Sequence, residues 1–268
     1  MEDVLRMKAV DQDREFDTTA LRSAGYATRV HRDYLAHVFR WGWASRLINT
    51  GDTGAHRVLE AGCGADAPLY LSLRQSRGIN HKPDLYVGVD LNKIPLIERR
   101  KTGAASFKSM VLKEEFNFVN RWPELLDEYG ATFDMAVSFE VIEHMTESHG
   151  DEYLKGVHAL LVDGGRLLIS TPVFNGHAAN NHIKEYTVAE LKDKLEHAGF
   201  TIKDRFGTFA SYNDIKRGID EVFSPEQAAV VKIINERARE FYSDEVMSCF
   251  LAPLLPDYSR NNAWIAVK

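Results

Sequence analysis

Val58-Leu59-Glu60-Ala61-Gly62-Cys63-Gly64, followed by Leu85-Tyr86-Val87-Gly88-Val89-Asp90, decides the fold of this chain. The first apolar run closes on an acid and a glycine turn. The second closes on another acid. Two buried strands that end this way can hold an adenine nucleoside between their tips. Glycines in the turn let backbone come close to a ligand because they lack a Cβ. An acid at the tip of the second strand can accept hydrogen bonds from both ribose hydroxyls.

Working outward, the pattern repeats. Arg57–Glu60 reads as a first strand, and Asp66 with Pro68 as a helix start. Leu85–Asp90 is a second strand, followed by a helix over Asn92–Arg100. A third strand is expected over Ser106–Leu112, a helix over Phe118–Glu128 and a fourth strand over Phe133–Phe139. A long helix, Glu143–Leu161, leads to the turn Asp163-Gly164-Gly165 and a fifth strand, Arg166–Thr171, which stops at Pro172. Thr187-Val-Ala-Glu190 has the spacing of a capping box, and its helix ends at Gly199, a favoured residue just past a helix. Thr201–Phe209 and Asn262–Lys268 complete seven strands. Strands that alternate with helices imply an α/β fold with a mostly parallel, doubly wound sheet.

Two segments depart from the alternation. Ala27–Ile48 is helical in pattern, with Val30, Tyr34, Val38, Trp41 and Ala44 on one stripe and His31, Arg32, Arg40 and Arg46 among them as solvated charges. Residues 212–258 are too long for an ordinary connection and carry helical patterns, notably Pro225–Tyr242. The organisation expected is an N-terminal helical arm over 1–49, a main domain over 50–268, and a helical insertion over 212–258 before the last strand. Both would cap the ligand-binding edge, with Tyr26, Tyr34, Trp41, Trp43, Phe223, Tyr242 and Phe250 packing the caps or lining an apolar pocket.

The totals bound the function. A chain of 268 residues, 44% hydrophobic and 27% charged, is an ordinary globular chain. Its net charge of −6 argues against a broad nucleic-acid footprint. Cys63 and Cys249, the only cysteines, form no disulfide framework. No apolar run is long enough to span a bilayer. The charged segment Met1 to Thr19 lacks the apolar stretch of a signal peptide, so a cytoplasmic location is expected.

Gly62-Cys-Gly64-Ala-Asp-Ala67 also satisfies the dinucleotide pattern G-x-G-x-x-[GA], which keeps a nicotinamide cofactor in contention. Glu60 directly before the turn points the other way, since a second acid suits a ligand bearing an ammonium group. So do two later segments, Phe133-Asp-Met-Ala-Val-Ser-Phe-Glu-Val-Ile-Glu-His144 and Leu161-Val-Asp-Gly-Gly-Arg-Leu-Leu-Ile-Ser-Thr-Pro172.

With these the chain resembles the class I S-adenosylmethionine-dependent methyltransferases, from about Arg57 to Phe209 with the last strand added. The resemblance implies a Rossmann-like sheet and S-adenosylmethionine as cofactor. It implies that Glu60, Gly62, Cys63 and Gly64 line the methionine part. Asp90, with Leu91 beside it, would bind the ribose, and Phe139 and Glu140 would lie near the sulfonium. The family's frequent third turn glycine is Asp66 here. Its acid near adenine has no clean match, and Glu114 and Glu115 are the candidates.

Glu140, Glu143 and His144 stand at i, i+3 and i+4, one face of a helix if the stretch is helical. His177 and His182 follow the fifth strand. The pattern E-x-x-E-H with a later His resembles ubiquinone-biosynthesis O-methyltransferases and small-RNA 2′-O-methyltransferases. That resemblance implies a divalent cation on Glu140, Glu143, His144 and His182 that orients the acceptor hydroxyl. Carboxylates suit Mg²⁺, and two histidines also suit Zn²⁺ or Mn²⁺. Without a cation, His144 or His182 would be the base; Glu143 and His144 are the expected catalytic pair. A small-molecule acceptor and a ribose hydroxyl of a nucleic acid are the two partner classes left by this reading.

Overall fold

The computed structural model describes residues 32–48, 55–75, 83–95 and 110–268. Tyr26, Val30 and His31 lie outside the described residues. So do the expected second helix beyond Pro95 and the first residues of the expected third strand.

In chain order the elements are α1 (Arg32–Ile48), β1 (Arg57–Ala61), α2 (Pro68–Gln75), β2 (Leu85–Val89), β3 (Met110–Lys113), α3 (Phe118–Tyr129), β4 (Phe133–Phe139), a 3₁₀ turn (Ile142–His144), α4 (Glu147–Leu160), β5 (Leu161–Pro172), α5 (Val188–His197), β6 (Thr201–Phe209), α6 (Tyr212–Val222), α7 (Pro225–Arg239), α8 (Asp244–Leu251) and β7 (Asn261–Val267). The seven strands form one sheet in the order β3-β2-β1-β4-β5-β7-β6. Pairs among the first five strands are parallel, and β7 runs antiparallel between β5 and β6.

The central strands are apolar on both faces because both faces are covered. On one side Leu59, Val87 and Ala136 pack with Leu125, Tyr153, Leu154 and Leu195 of α3, α4 and α5. On the other, Val58, Met135 and Val137 pack with Ala44 and Ile48 of α1 and Leu69, Tyr70 and Leu73 of α2. A third, smaller core of Ile215, Ile219, Ala228, Ala252 and Leu255 holds the inserted helices together. Phe223 packs against it, while Tyr242 is exposed.

Helix ends follow the local signals. The capping box is formed: Glu190 N–H donates to Thr187 Oγ1 (3.2 Å), and Thr187 N–H donates to a Glu190 carboxylate oxygen (2.7 Å). Ser224 and Gln227 make a second box at the start of α7, with Pro225 in its first turn. Gly199, at φ 95°, ends the run after α5.

Three expectations change. The long helix over Glu143–Leu161 is split, because Thr146 caps a fresh start at Glu147 and leaves Ile142–His144 as an isolated 3₁₀ turn. Asp163-Gly164-Gly165 is not a separate turn into β5. It is a register shift inside one continuous strand that begins at Leu161. Arg40 is not a solvated charge: it is 2% exposed, whereas Val38, placed on the apolar stripe, is 44% exposed.

Candidate active site

The expected cofactor and metal residues lie at or just beyond the C-terminal ends of the parallel strands, where β1 and β4 turn their connections to opposite faces. This is where open α/β sheets hold ligands. The edge has two halves.

The first half is built largely from backbone. Gly62 and Cys63 N–H both donate to Val89 O (2.9 and 3.0 Å), which clips the turn after β1 to the tip of β2. Asp90, buried, accepts from Gly64 N–H through Oδ2 and from Asn92 N–H through Oδ1, each at 2.8 Å. An ionised carboxylate has about four lone-pair sites, so acceptor capacity remains. Gly62 has φ 86°, and a Cβ there would come within 2.4 Å of Val141 Cγ2. Its glycine is thus required by protein packing: the β1 turn sits directly on the chain leaving β4. Glu60 is buried and accepts from the Tyr86 hydroxyl of the neighbouring strand. Leu91 is exposed at the mouth. Of the two adenine candidates, Glu114 is engaged with Ile94 N–H (2.8 Å). Glu115 is exposed, with its backbone at φ 51° and its N–H on Asn92 O (3.1 Å).

The second half is built from side chains. Phe139 ends β4, stacked on Trp43 of α1 at 6.2 Å between ring centroids. Glu140 follows with φ 57°, a conformation disfavoured for a residue with a Cβ. Its carboxylate faces Arg40 (3.4 Å), and it accepts from Ser170 Oγ (2.7 Å) and from Asn261 Nδ2 (2.8 and 3.0 Å). Arg40 Nη1 also donates to Asn261 Oδ1 (3.1 Å) and Thr208 Oγ1 (3.3 Å), and Nη2 to His37 Nδ1 (3.0 Å). One network therefore joins α1, β4, β5, β6 and β7. Burial alone would push Glu140 up, but Arg40, His37 and its two hydrogen bonds hold it below the ordinary carboxylate range.

Glu143, His144 and His182 form a second cluster, with one ligand atom from each within 4.8 Å of the others. Glu140 does not join it. The left-handed turn at Glu140 and the 3₁₀ geometry after it break the single helical face that its spacing predicts. His177 is exposed and also lies outside the cluster.

The support around the three is specific. Glu143 is fully buried. Its Oε2 accepts from Thr171 Oγ1 (3.1 Å), and its Oε1 has no hydrogen-bond partner. Burial first, and then the charge of Glu140, push its carboxyl well above the ordinary range. Two neighbouring carboxyls are thus driven apart, one ionised and one inclined to keep its proton. His182 Nδ1 is 2.6 Å from the buried Glu185 carboxylate, which also accepts from Ala179 N–H (2.9 Å). His144 Nδ1 is 3.2 Å from Asn181 O. An acceptor at each Nδ1 fixes the tautomer that leaves Nε2 with its lone pair outward, as is usual behind metal-bound histidines. The loop is secured by Ile183 and Lys184 N–H, both on Glu143 O (2.8 and 3.1 Å). A cation fits this donor set, since it would satisfy the orphaned oxygen and replace the proton on Glu143.

Arg40, Asn261, Thr171 and Glu185 were missed from the sequence. Arg40 had one local signal, a charge on the stripe of a helix that buries Trp41 and Ala44. The others had none.

Sheet order, switch-point edge and cap together define the class I S-adenosylmethionine-dependent methyltransferase fold. A family model described as "Methyltransferase domain" matches residues 34–204, and the chain belongs to that family. A curated relative, described as a probable S-adenosylmethionine-dependent methyltransferase of Mycolicibacterium smegmatis, is 33% identical over 86 residues, 30% of this chain and 33% of that protein. The chain thus spans about a third of the length of the curated relative it matches. Among solved structures, a SAM-dependent methyltransferase from Archaeoglobus fulgidus superposes with a TM-score of 0.52 at 21% identity, covering 94% of this chain and 100% of that one. A Burkholderia thailandensis 1,6-didemethyltoxoflavin-N1-methyltransferase gives 0.51 at 18%, covering 98% and 88%. The [4+2]-cyclase SpnF gives 0.53 at 15%, covering 88% and 81%. These likenesses establish the fold, and the cyclase among them shows that the fold by itself does not fix the reaction. No helix among the described residues is long and apolar enough to cross a membrane.

Proposed function

We propose that the protein transfers the methyl group of S-adenosylmethionine to an oxygen of a small or medium-sized acceptor. In this reading Glu143, His144 and His182 hold a divalent cation. The observations that carry the cation are a buried Glu143 carboxylate whose Oε1 has no hydrogen-bond partner, and a donor atom of that residue within 4.8 Å of donor atoms of two imidazoles whose Nδ1 atoms lie against acceptors. With Glu140 committed to Arg40, the donors are two nitrogens and one carboxylate. That set suits Zn²⁺ or Mn²⁺ better than Mg²⁺, which prefers oxygen. When bound, the cation would act as a Lewis acid that lowers the pKa of the acceptor hydroxyl.

The rest falls to the chain. Asp90 keeps lone pairs for the ribose hydroxyls. Glu60 and the Gly62–Gly64 turn offer an acid and close backbone to the methionine part. Phe139 and Trp43 keep water from the reacting edge. The acceptor oxygen forms a bond to the methyl carbon as the sulfur–carbon bond breaks in line, and the hydroxyl proton is released to solvent. A second reading keeps the same geometry without a cation. His144, held through Nδ1 by Asn181 O, would then take the proton on Nε2.

Incubating the protein with methyl-labelled donor and cell extract, then searching by mass spectrometry for a labelled product, tests the activity. No transfer to any fraction, with no affinity for S-adenosylhomocysteine, rejects it. Label that appears in RNA and declines with salt moves the acceptor to nucleic acid. Metal content after dialysis against Zn²⁺ or Mn²⁺ tests the cation directly: about one ion per chain is expected, lost in Glu143→Gln and His182→Ala. A metal-free protein of full activity leaves the histidine-base reading.

A further inference from the structure

α7 has two apolar faces, and the protein uses only one of them. Inward, Ala228 and Asn235 are buried and Val231 packs on the small core of the insertion. Outward, Val230, Ile233 and Ile234 are 55%, 65% and 58% exposed. Glu226, Val230, Ile233 and Arg237 are spaced by four, three and four residues, so they form one stripe along the helix. That is the spacing by which two helices make a seam. A contiguous apolar stripe left in water on a folded chain marks an interaction face.

The charges at the two ends of the stripe say what it fits. Glu226 stands in the first turn of α7 and Arg237 in the last. Arg237 pairs with Glu240, and its guanidinium lies over the Phe241 ring at 5.3 Å, which holds the charge at that end. A second copy of the stripe, turned end for end, complements the first. Val230 then falls level with Ile233 of the other copy, and Glu226 level with Arg237. By symmetry each pair occurs twice. The same register brings together Val222 and Phe241, both exposed, which lie just outside the two ends of α7. A parallel pairing would instead set Glu226 on Glu226 and Arg237 on Arg237, and like charges in register are costly.

We propose that α7 is the contact face of a homodimer, in which two copies of the helix pair antiparallel about a twofold axis level with Val231 and Lys232. The helix is about 22 Å long, and one such face is smaller than the roughly 800 Å² per partner of a standard interface. The dimer is therefore expected to be reversible, with a dissociation constant on the order of 10 μM. None of the stripe residues belongs to the methyltransferase edge, so the dimer stands or falls separately from that reading.

Sedimentation of the full-length protein from about 1 to about 200 μM tests it, with the monomer giving way to a dimer across that range. Ile233→Asp would place two unpaired carboxylates in the seam and weaken association about 100-fold or more. Glu226→Arg and Arg237→Glu each set like charges against one another and should weaken it about 5- to 10-fold. Mixing these two charge variants restores opposite charges at both ends, so the mixture should dimerise as the parent does.

A parent chain that stays monomeric throughout the range overturns the proposal. If that monomer sediments with phosphatidylcholine–phosphatidylglycerol vesicles and Ile233→Asp does not, the face belongs to a lipid surface instead. A dimer untouched by Ile233→Asp uses another face and overturns the assignment. A dimer indifferent to both charge variants overturns the antiparallel arrangement. If circular dichroism shows Ile233→Asp unfolded, Val230→Asp and the charge-variant mixture still decide. S-adenosylhomocysteine affinity should be the same in every folded variant, and its absence in the parent removes the methyltransferase reading without touching the dimer.

Discussion

The two halves of the site edge are held together by different means. At the tips of β1 and β2, carboxylates and carbonyls accept from backbone N–H groups: Gly62 and Cys63 on Val89, Gly64 and Asn92 on Asp90. At the tips of β4, β5, β6 and β7, side chains bind side chains, with Arg40, Glu140, Asn261 and Thr208 in one buried network. Backbone donors come with any sequence that makes the turn. A side-chain network exists only if every partner is present, so its loss is felt more sharply.

The most severe way to break the contrast is Arg40→Met. It leaves the Glu140 carboxylate, whose side chain is 19% exposed, without its cation, and urea denaturation should show a loss of about 3 kcal/mol, the low end for a broken buried pair. Adding Glu140→Gln to that variant should recover most of it, since the amide removes the charge. If the single variant is as stable as the parent, the network is not what holds this half together. On the other half, Asp90→Ala should weaken S-adenosylhomocysteine, measured by calorimetry, by about 1.5–3 kcal/mol, because it removes a charged acceptor. Glu143→Gln should leave that affinity nearly intact. Equal effects from the two would erase the division between the halves.

Gly156→Ala on α4 gives a smaller effect, away from both halves. Its Cβ would lie 2.5 Å from Trp122 Cγ, and overpacking of this kind costs about 1–3 kcal/mol. It should lower the melting temperature without changing ligand affinity. The smallest effect belongs to the capping box. Hydrogen bonding to Thr187 N–H and then to Lys184 holds Glu190 down to about 2. A carboxyl depressed on folding stabilises above its unfolded value, and that contribution is lost as pH falls through about 2. The difference in melting temperature between the parent and Glu190→Gln should therefore narrow as pH is lowered through this window. Thr187→Ala should cost about 1 kcal/mol at neutral pH.

The same contrast explains what could be read from the sequence. β4 and β6 run over the residues expected of them, and the glycine turn with the Asp90 tip lies where the two apolar runs place it. These signals are local: an apolar run, a breaker and a short polar residue declare themselves within a few positions. The cluster of Glu143, His144 and His182 was legible in composition, but its geometry was not. Helical spacing put Glu140 on the same face, whereas a left-handed residue and a 3₁₀ turn aim its carboxylate at Arg40. Arg40 and Asn261 are 221 positions apart, and Glu140 and Asn261 are 121 apart. No periodicity in one chain encodes a pairing over that span. The N-terminal helix and the helical insertion before the last strand were recognised. That α1 carries a buried cation into the sheet edge followed only from the packed structure.

The place of β7 has a consequence for how the chain is made. β7 lies between β5 and β6, so those strands do not pair with each other, and each bonds instead to residues 261–267. On the ribosome, everything through residue 260 emerges while both strands still present open edges. Glu140 and Arg40 then also lack Asn261. Open edges are templates for pairing with other chains. The nascent protein thus passes through an interval in which these two facing edges are exposed, until one seven-residue strand slides between them. Synthesis stalled just before that strand should be the point at which this molecule depends most on chaperones.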